Sequence, residues 1–195
     1  MHICGVILSG GKSSRMGTNK SLLKLGNQTV IEHIANELQT YTDEVIVIAN
    51  EPSVYKFLNL EIYSDRYIDK GPLAGFETAM YHKNADAFII AACDMPLISG
   101  KVYEYLLNQL EYYDAVVPVF DDQLHPLSGI YKKNVLPKIQ GNLNKDVRKV
   151  KSFFDDVHVN FIHDFGQISD ELLQRHFFNM NKPSHYEEAK SLWLV

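Results

Sequence analysis

The stretch Val6-Ile7-Leu8-Ser9-Gly10-Gly11-Lys12-Ser13-Ser14-Arg15-Met16-Gly17-Thr18-Asn19-Lys20 contains Gly-Gly-Lys-Ser and invites comparison with a P-loop. A P-loop requires a glycine, then four residues of any kind, then Gly-Lys-Ser or Gly-Lys-Thr. Counting back from Gly11-Lys12-Ser13 puts Val6 where the first glycine belongs, and Gly5 falls one place too early. Val6-Ile7-Leu8 read as strand, so the register excludes a P-loop. What remains is a glycine-rich loop behind a first buried strand. Paired glycines let backbone approach a ligand and aim amide hydrogens at its oxygens. Arg15 and Lys20 add cationic donors that match phosphate. A solvated surface loop could carry the same charges, but three glycines, an arginine and a lysine in this place favour a phosphate cradle.

The chain around this loop has 195 residues, enough for one domain with a full core and no metal or disulfide staples. Its 46% apolar and 22% charged residues are ordinary for a globular protein. A net charge of -5 argues against a polyanion such as duplex DNA as the main partner. The two cysteines, Cys4 and Cys93, sit in apolar runs and read as buried thiols suited to a reducing compartment. The first apolar run breaks at Ser9-Gly10-Gly11. It is too short for a membrane span and lacks the basic start of a signal peptide. The expectation is a single cytoplasmic domain over 1–195, with neither nucleic acid nor membrane as a partner.

Strand and helix patterns alternate along the chain. His2–Leu8, Glu44–Ala49 and Ala87–Cys93 are apolar runs of the kind a strand covered on both faces requires. Val30, Ile31, Ile34, Ala35 and Leu38 follow helical spacing, a short helix is expected near 54–58, and a strand at 61–63. Pro72 stands in the first turn of a helix over 72–81. Helix 101–111, strands at 115–119, 127–131 and 157–162, and a last helix from Ser184 with a capping box to Glu187 complete the pattern. This predicts an α/β three-layer sandwich with a mostly parallel, Rossmann-like central sheet. In such sheets ligands bind beyond the carboxyl ends of the strands, near the topological switch.

Several residues at those ends carry chemistry. Asp94 closes the most apolar strand and precedes Met95-Pro96; a carboxylate there can hold Mg²⁺ or simply cap a turn. Gly71-Pro72-Leu73-Ala74-Gly75 admits close approach of a ligand and tight helix packing equally. His125 could suggest general acid–base chemistry, because histidine titrates near neutrality, or it reads as a substrate contact or a structural residue. Asn179 and Asn181 alternate as on an extended segment, which would put both amides on one side or leave them as turn residues.

Leu8 to Leu23 resembles the Leu-x-Gly-Gly-x-Ser-x-Arg-Met-Gly-x-x-Lys signature of the molybdenum cofactor guanylyltransferases, members of the wider nucleotidyltransferases. The resemblance continues through SDRYIDKGPLAG (64–75), AACDMP (91–96), HPLSGIY (125–131) and FFNMNKP (177–183), in the family's order and over nearly the whole chain. It implies a nucleotidyltransferase fold, with a nucleotide-binding half over roughly 1–98 and an acceptor-binding half over roughly 99–195. It also implies transfer of GMP from GTP to the phosphate of molybdenum-molybdopterin, with release of pyrophosphate. The resemblance assigns Leu8, Ser9, Gly10, Gly11, Lys20, Asp65 and Asp94 to the nucleotide. Arg15, Lys20 and Asp94 are the implied catalytic groups, with Asp94 also holding Mg²⁺. His125, Asn179 and Asn181 fall on the acceptor side. Molybdenum insertion proteins and recipient molybdoenzymes are the implied protein partners.

The chain also departs from the pattern. An ungapped count puts Ile48 where some members carry an asparagine that touches guanine, with Asn50 as the substitute two residues on. The basic stretch 142–155 follows the family only loosely and reads at most as an acceptor-side helix. The related cytidylyltransferases typically read Ala-Ala-Gly where this chain has Ser9-Gly10-Gly11, so Gly10 favours guanine. Sugar-phosphate nucleotidyltransferases usually carry Gly-Thr-Arg-Leu and a following Pro-Lys, both missing here. A non-catalytic nucleotide-binding module would not need Arg15, Lys20 and Asp94 together.

Overall fold

The computed structural model describes residues 1–10 and 19–194. Its strands are β1 (Ile3–Leu8), β2 (Lys24–Leu25), β3 (Gln28–Thr29), β4 (Glu44–Ile48), β5 (Glu61–Tyr63), β6 (Ala87–Ala92), β7 (Ala115–Phe120), β8 (Gln123–Leu124), β9 (Ile130–Lys132) and β10 (Val159–Ile162). The α-helices are α1 (Val30–Gln39), α2 (Pro72–His82), α3 (Gly100–Asn108), α4 (Leu136–Asn144), α5 (Asp170–His176) and α6 (Pro183–Trp193). The main sheet runs β5-β4-β1-β6-β9-β7-β10, with β8 folded back on β7 as a hairpin, while β2 and β3 form a separate ribbon. β1 is parallel to β4 and β6, β4 to β5, and β7 to β10. Only β9 runs against both its neighbours, β6 and β7.

The side-chain period of two divides the core between the faces of this sheet. Val6, Leu8, Ile46 and Ile48 pack with Leu73 and Phe76 of α2 and Ile139 of α4. Ile7, Val45, Val47 and Ile89 face the other way, onto α1 and α3, and α5 and α6 join that side. All six residues of β6 are buried, as a strand covered on both faces must be. The expected three layers and mostly parallel sheet are the layers found. Gly5 shows how closely they pack: a Cβ there would lie 3.2 Å from Leu38 Cβ, so the missing side chain lets α1 sit close on β1.

Local chemistry fixes the helix ends. Thr29 and Glu32 form a reciprocal capping box at the start of α1. Gly71, at φ +71°, turns the chain into α2 and Pro72 opens the helix. The ammonium of Lys133 takes the carbonyls of Met80 and Lys83 at the far end of α2.

Three expectations change. The strand expected at 127–131 is only Ile130–Lys132, because Pro126–Ser128 form a 3₁₀ turn whose proline has no N–H to give the ladder. The capping box expected at Ser184 and Glu187 does not form. Pro183 takes the first helical position, Lys182 becomes the N-cap, and Glu187 pairs with Lys190 at 2.6 Å instead. The stretch 142–155 is the end of α4 and a 3₁₀ helix, Val150–Asp156, whose Phe153 and Phe154 are core residues on the α2 face. Among the described residues no helix is long and apolar enough to cross a membrane.

Candidate functional site

From β1 the chain moves to β4 and β5 on one side of the sheet and then returns to β6 on the other, so the switch in strand order lies between β1 and β6. Beyond their carboxyl ends the ladder continues for one residue: Cys93 N donates to Leu8 O at 3.2 Å, and Ser9 N to Ile48 O at 2.9 Å. Gly10 follows, and among the described residues no atom lies within 4 Å of the place a Cβ would occupy. Asp94 stands at the mouth of β6, where burial raises its carboxyl above the usual range and the positive charge of Lys20 partly offsets the rise. Its carbonyl accepts Met180 N at 2.7 Å, and Lys20 Nζ donates to Asn181 Oδ1 at 3.1 Å. Lys20, Asp94 and Asn181 are thus brought together from three distant parts of the chain. Gly11 and Arg15 lie outside the described residues.

A second cluster gathers at the end of β4. Ile48 is buried under α2 and offers nothing polar, whereas Asn50 is exposed beside the Asp65 carboxylate. Burial raises the Asp65 carboxyl, and the neighbouring Asn50 amide pulls it back. Gly75 resolves the two readings of its segment: a Cβ would stand 2.7 Å from Leu8 Cδ2 and 3.8 Å from Asp65 Oδ1, so the glycine lets α2 close onto β1 and the Asp65 loop. The loop is braced through its next residue. Arg66 N donates to Thr78 Oγ1 at 3.0 Å, and Arg66 Nη1 pairs with Glu77 Oε1, which also accepts Gln140 Nε2 at 2.8 Å. A fully buried carboxylate needs such partners.

The third region is a cavity of about 210 Å³ bordered by Phe120, Gln123, His125, Gln174, Phe177 and Asn179. Its walls combine aromatic rings with the polar side chains of Asp121, Gln123, Gln174 and Asn179: Phe120 stacks on Phe177 with centroids 5.1 Å apart, and the His125 ring lies 4.4 Å from Phe177. Burial depresses the His125 imidazole and keeps it neutral at pH 7. His125 and Asn179 share this cavity, but Asn181 does not, since its amide is turned to Lys20. The segment 177–181 therefore runs from the cavity to Asp94 and Lys20 within five residues.

Comparison with known proteins now identifies the chain. A model of the MobA-like NTP transferase domain matches residues 5–160. The chain belongs to this family. A relative from Carboxydothermus hydrogenoformans named "Probable molybdenum cofactor guanylyltransferase" is 39% identical over 188 residues, covering 96% of this chain and 94% of its own. A protein of the same name from Clostridium perfringens is 36% identical over 186 residues, covering 93% of each. Among solved structures, molybdopterin-guanine dinucleotide biosynthesis protein A from Archaeoglobus fulgidus matches with a TM-score of 0.79 at 21% identity, over 97% of both chains. The CMP:2-keto-3-deoxy-manno-octonic acid synthetase complexed with CTP matches at 0.73 and 15% identity, over 100% of this chain and 99% of its own. At those identities the structures speak to the fold alone, and the fold is shared.

The MobA-like chain is thus a nucleotidyltransferase, an enzyme. Sequence reasoning misses two buried polar residues beside its site. His176 accepts Ser99 N on Nδ1 at 2.9 Å, which leaves the proton on Nε2, 2.8 Å from Ser128 Oγ. Ser128 in turn donates to Tyr103 Oη at 3.2 Å, and Tyr103 donates to Ile90 O at 3.0 Å, so the relay ends on β6. Burial holds His176 neutral and lowers its pKa to about 3. The other is Tyr55, buried behind Ser9. The only sequence signal for His176 is a histidine beside the aromatic pair Phe177-Phe178; Tyr55 leaves none.

The two cysteines lie at opposite ends of the central strands. Cys93 sits beside Asp94 and Cys4 near the start of β1, and burial pushes both thiols up to about 12. Neither supplies a thiolate at neutral pH.

Proposed function

We propose that this enzyme transfers GMP from GTP to the phosphate of molybdenum-carrying molybdopterin, forming the guanine dinucleotide of the cofactor and pyrophosphate. One observation carries the reading: Lys20 and Asp94 both bond to the segment 180–181 at the mouth of β6, and that segment continues from a separate cavity. A donor site and an acceptor site in such contact suit group transfer between two bound molecules. An oxygen of the acceptor phosphate forms a bond to the α-phosphorus of GTP as the bond from that phosphorus to the departing pyrophosphate breaks. The nucleophile is already ionised, so rate comes from placement and charge neutralisation.

The roles follow from position. Leu8 and Ser9 border the triphosphate with their amides already tied into the sheet, so Gly10 is the first residue to offer its backbone, and the family signature adds Gly11 and Arg15. Lys20 neutralises charge on the phosphates and exchanges its bond to Asn181 for one to the ligand. Asp65 and Asn50 hold the nucleoside, with Asn50 supplying the amide that Ile48 lacks. His125 and Asn179 contact the acceptor from the cavity.

The donor set at Asp94 fits Mg²⁺. A carboxylate destabilised by burial gains from a cation, and among the described residues no group of three or more His, Cys, Asp or Glu competes as a dedicated protein cage. Mg²⁺ commonly takes one or two carboxylates and completes its shell with water and phosphate oxygens. When bound it neutralises phosphate charge. Molybdenum insertion proteins upstream and recipient molybdoenzymes downstream are the partners this reading implies.

The test is pyrophosphate release with each of the four nucleoside triphosphates, Mg²⁺ and molybdenum-loaded molybdopterin. GTP should exceed CTP by about tenfold or more in kcat/KM, on the order of 1.4 kcal/mol. Equal use of the two, or preference for CTP, overturns the choice of guanine.

A further inference from the structure

Three polar groups converge on the Tyr55 hydroxyl from both flanks of the glycine-rich loop. Tyr55 lies on the 3₁₀ helix Pro52–Leu58 that follows β4, and only 3% of it is exposed. Ser9 Oγ donates to its oxygen at 2.7 Å, and Asn19 Nδ2 donates to it at 2.8 Å. Ser21 Oγ lies 3.1 Å away and spends its own proton on Asn19 Oδ1 at 2.6 Å, so the phenol proton goes to Ser21. The hydroxyl therefore accepts twice and donates once, which is its full capacity. Asn19 Oδ1 also takes Ser21 N at 3.2 Å and caps the turn Lys20–Leu22. Lys20 is thus flanked on both sides by residues tied to one phenol, and the same phenol holds Ser9 beside Gly10.

Phenylalanine would fill this site as well as tyrosine does, so packing alone does not call for the oxygen. Burying a hydroxyl is unfavourable unless its bonds are replaced, and here all of them are replaced by groups of the loop flanks. We propose that the Tyr55 hydroxyl is a positioning group: it sets the Lys20 ammonium against the Ser9–Gly10 backbone, and so serves turnover without touching substrate. The inference rests on the role of Lys20 in nucleotidyl transfer given above.

A double-mutant cycle on Mg²⁺-dependent pyrophosphate release tests it, using Tyr55→Phe, Lys20→Ala and the pair, each first shown by its melting curve to be folded at the assay temperature. Lys20→Ala should lower kcat about 10²–10³-fold, because it removes charge that meets the transition state. Tyr55→Phe should lower kcat about tenfold or more, in line with the cost of a small misplacement, and leave the KM for the acceptor within about twofold. On the Lys20→Ala background the same change should cost less than about twofold, since the group it positions is gone. A purely structural tyrosine would slow both backgrounds equally, and that result overturns the inference. So does Tyr55→Phe with normal kcat beside a slow Lys20→Ala, which leaves the reading of Lys20 intact. Normal turnover by Lys20→Ala sinks that reading and the inference with it.

Discussion

Asp94, Asp65 and Asn50 lie just beyond the ends of parallel strands and Lys20 opens a short 3₁₀ turn, whereas His125, Phe177 and Asn179 come from a hairpin, the end of a short helix and a coil. The first set is charged or amide-bearing and braced by buried partners, among them the Arg66–Glu77 pair and the Tyr55 hydroxyl. The second is mostly aromatic and lines a cavity. The difference teaches where precision is needed. Under the proposed function the first set would meet a reacting phosphate, and such charges lose their value when displaced, which suits their bracing by buried partners. A flat aromatic wall works through area and shape and tolerates a looser frame.

The contrast breaks most sharply at Asp94. Asp94→Asn keeps size and hydrogen bonding but removes the charge that would hold Mg²⁺ under the proposed function, so turnover should fall about 10³-fold or more. The metal-free variant should melt at or slightly above the parent temperature, because the parent's carboxylate is buried at a cost. Added Mg²⁺ should recover only part of the rate. A folded, active Asp94→Asn protein would return Asp94 to the role of a turn cap, for which asparagine serves as well.

On the cavity side a smaller and different effect is expected. His125→Ala should raise the KM for the acceptor about fivefold to tenfold, with kcat within about twofold, since the ring contributes contact rather than charge. A fall in kcat at unchanged KM would move His125 into the charged group and erase the distinction.

Stability sharpens the comparison further, through His176. Its folded pKa of about 3 lies below the ordinary 6.5, so its contribution is complete above pH 6.5 and is lost as pH falls toward 3. One such group gives a slope of at most about 1.4 kcal/mol per pH unit in that window. His176→Gln should be less stable at pH 7 by roughly 1–3 kcal/mol, the cost of a disturbed buried network, and should show a flatter decline toward pH 4.5. Urea unfolding at both pH values measures this; parallel declines in the two proteins would show that His176 is not the titrating group.

The elements easiest to read from sequence are those whose evidence is local. Ala87–Cys93 is apolar at every position, so its burial between two helical layers needs no knowledge of the layers, and Asp94 stands out by ending it. Gly10 could likewise be read as open backbone. Local reasoning fails where a neighbour changes the meaning of a motif: Ser184 and Glu187 have capping-box spacing, but Pro183 moves the helix start and leaves the pair without its geometry. The box that does form, at Thr29 and Glu32, has the same signature and was open to the same reading. Alternation placed Asn179 and Asn181 on one side, but a cavity claims one and Lys20 the other. His176 and Tyr55 were out of reach for a different reason. Their partners lie 34 to 77 residues away in the chain, so only the folded sheet brings the groups together.

The buried thiols of Cys4 and Cys93 have a practical consequence. With both held near 12, the thiolate fraction at neutral pH is negligible, and the folded protein should be silent toward maleimides and mild oxidants. Its activity should not depend on added reductant. A cysteine introduced at a position as open as Tyr112, 91% exposed, would then be the one thiol a fluorophore finds, without any need to remove the native pair.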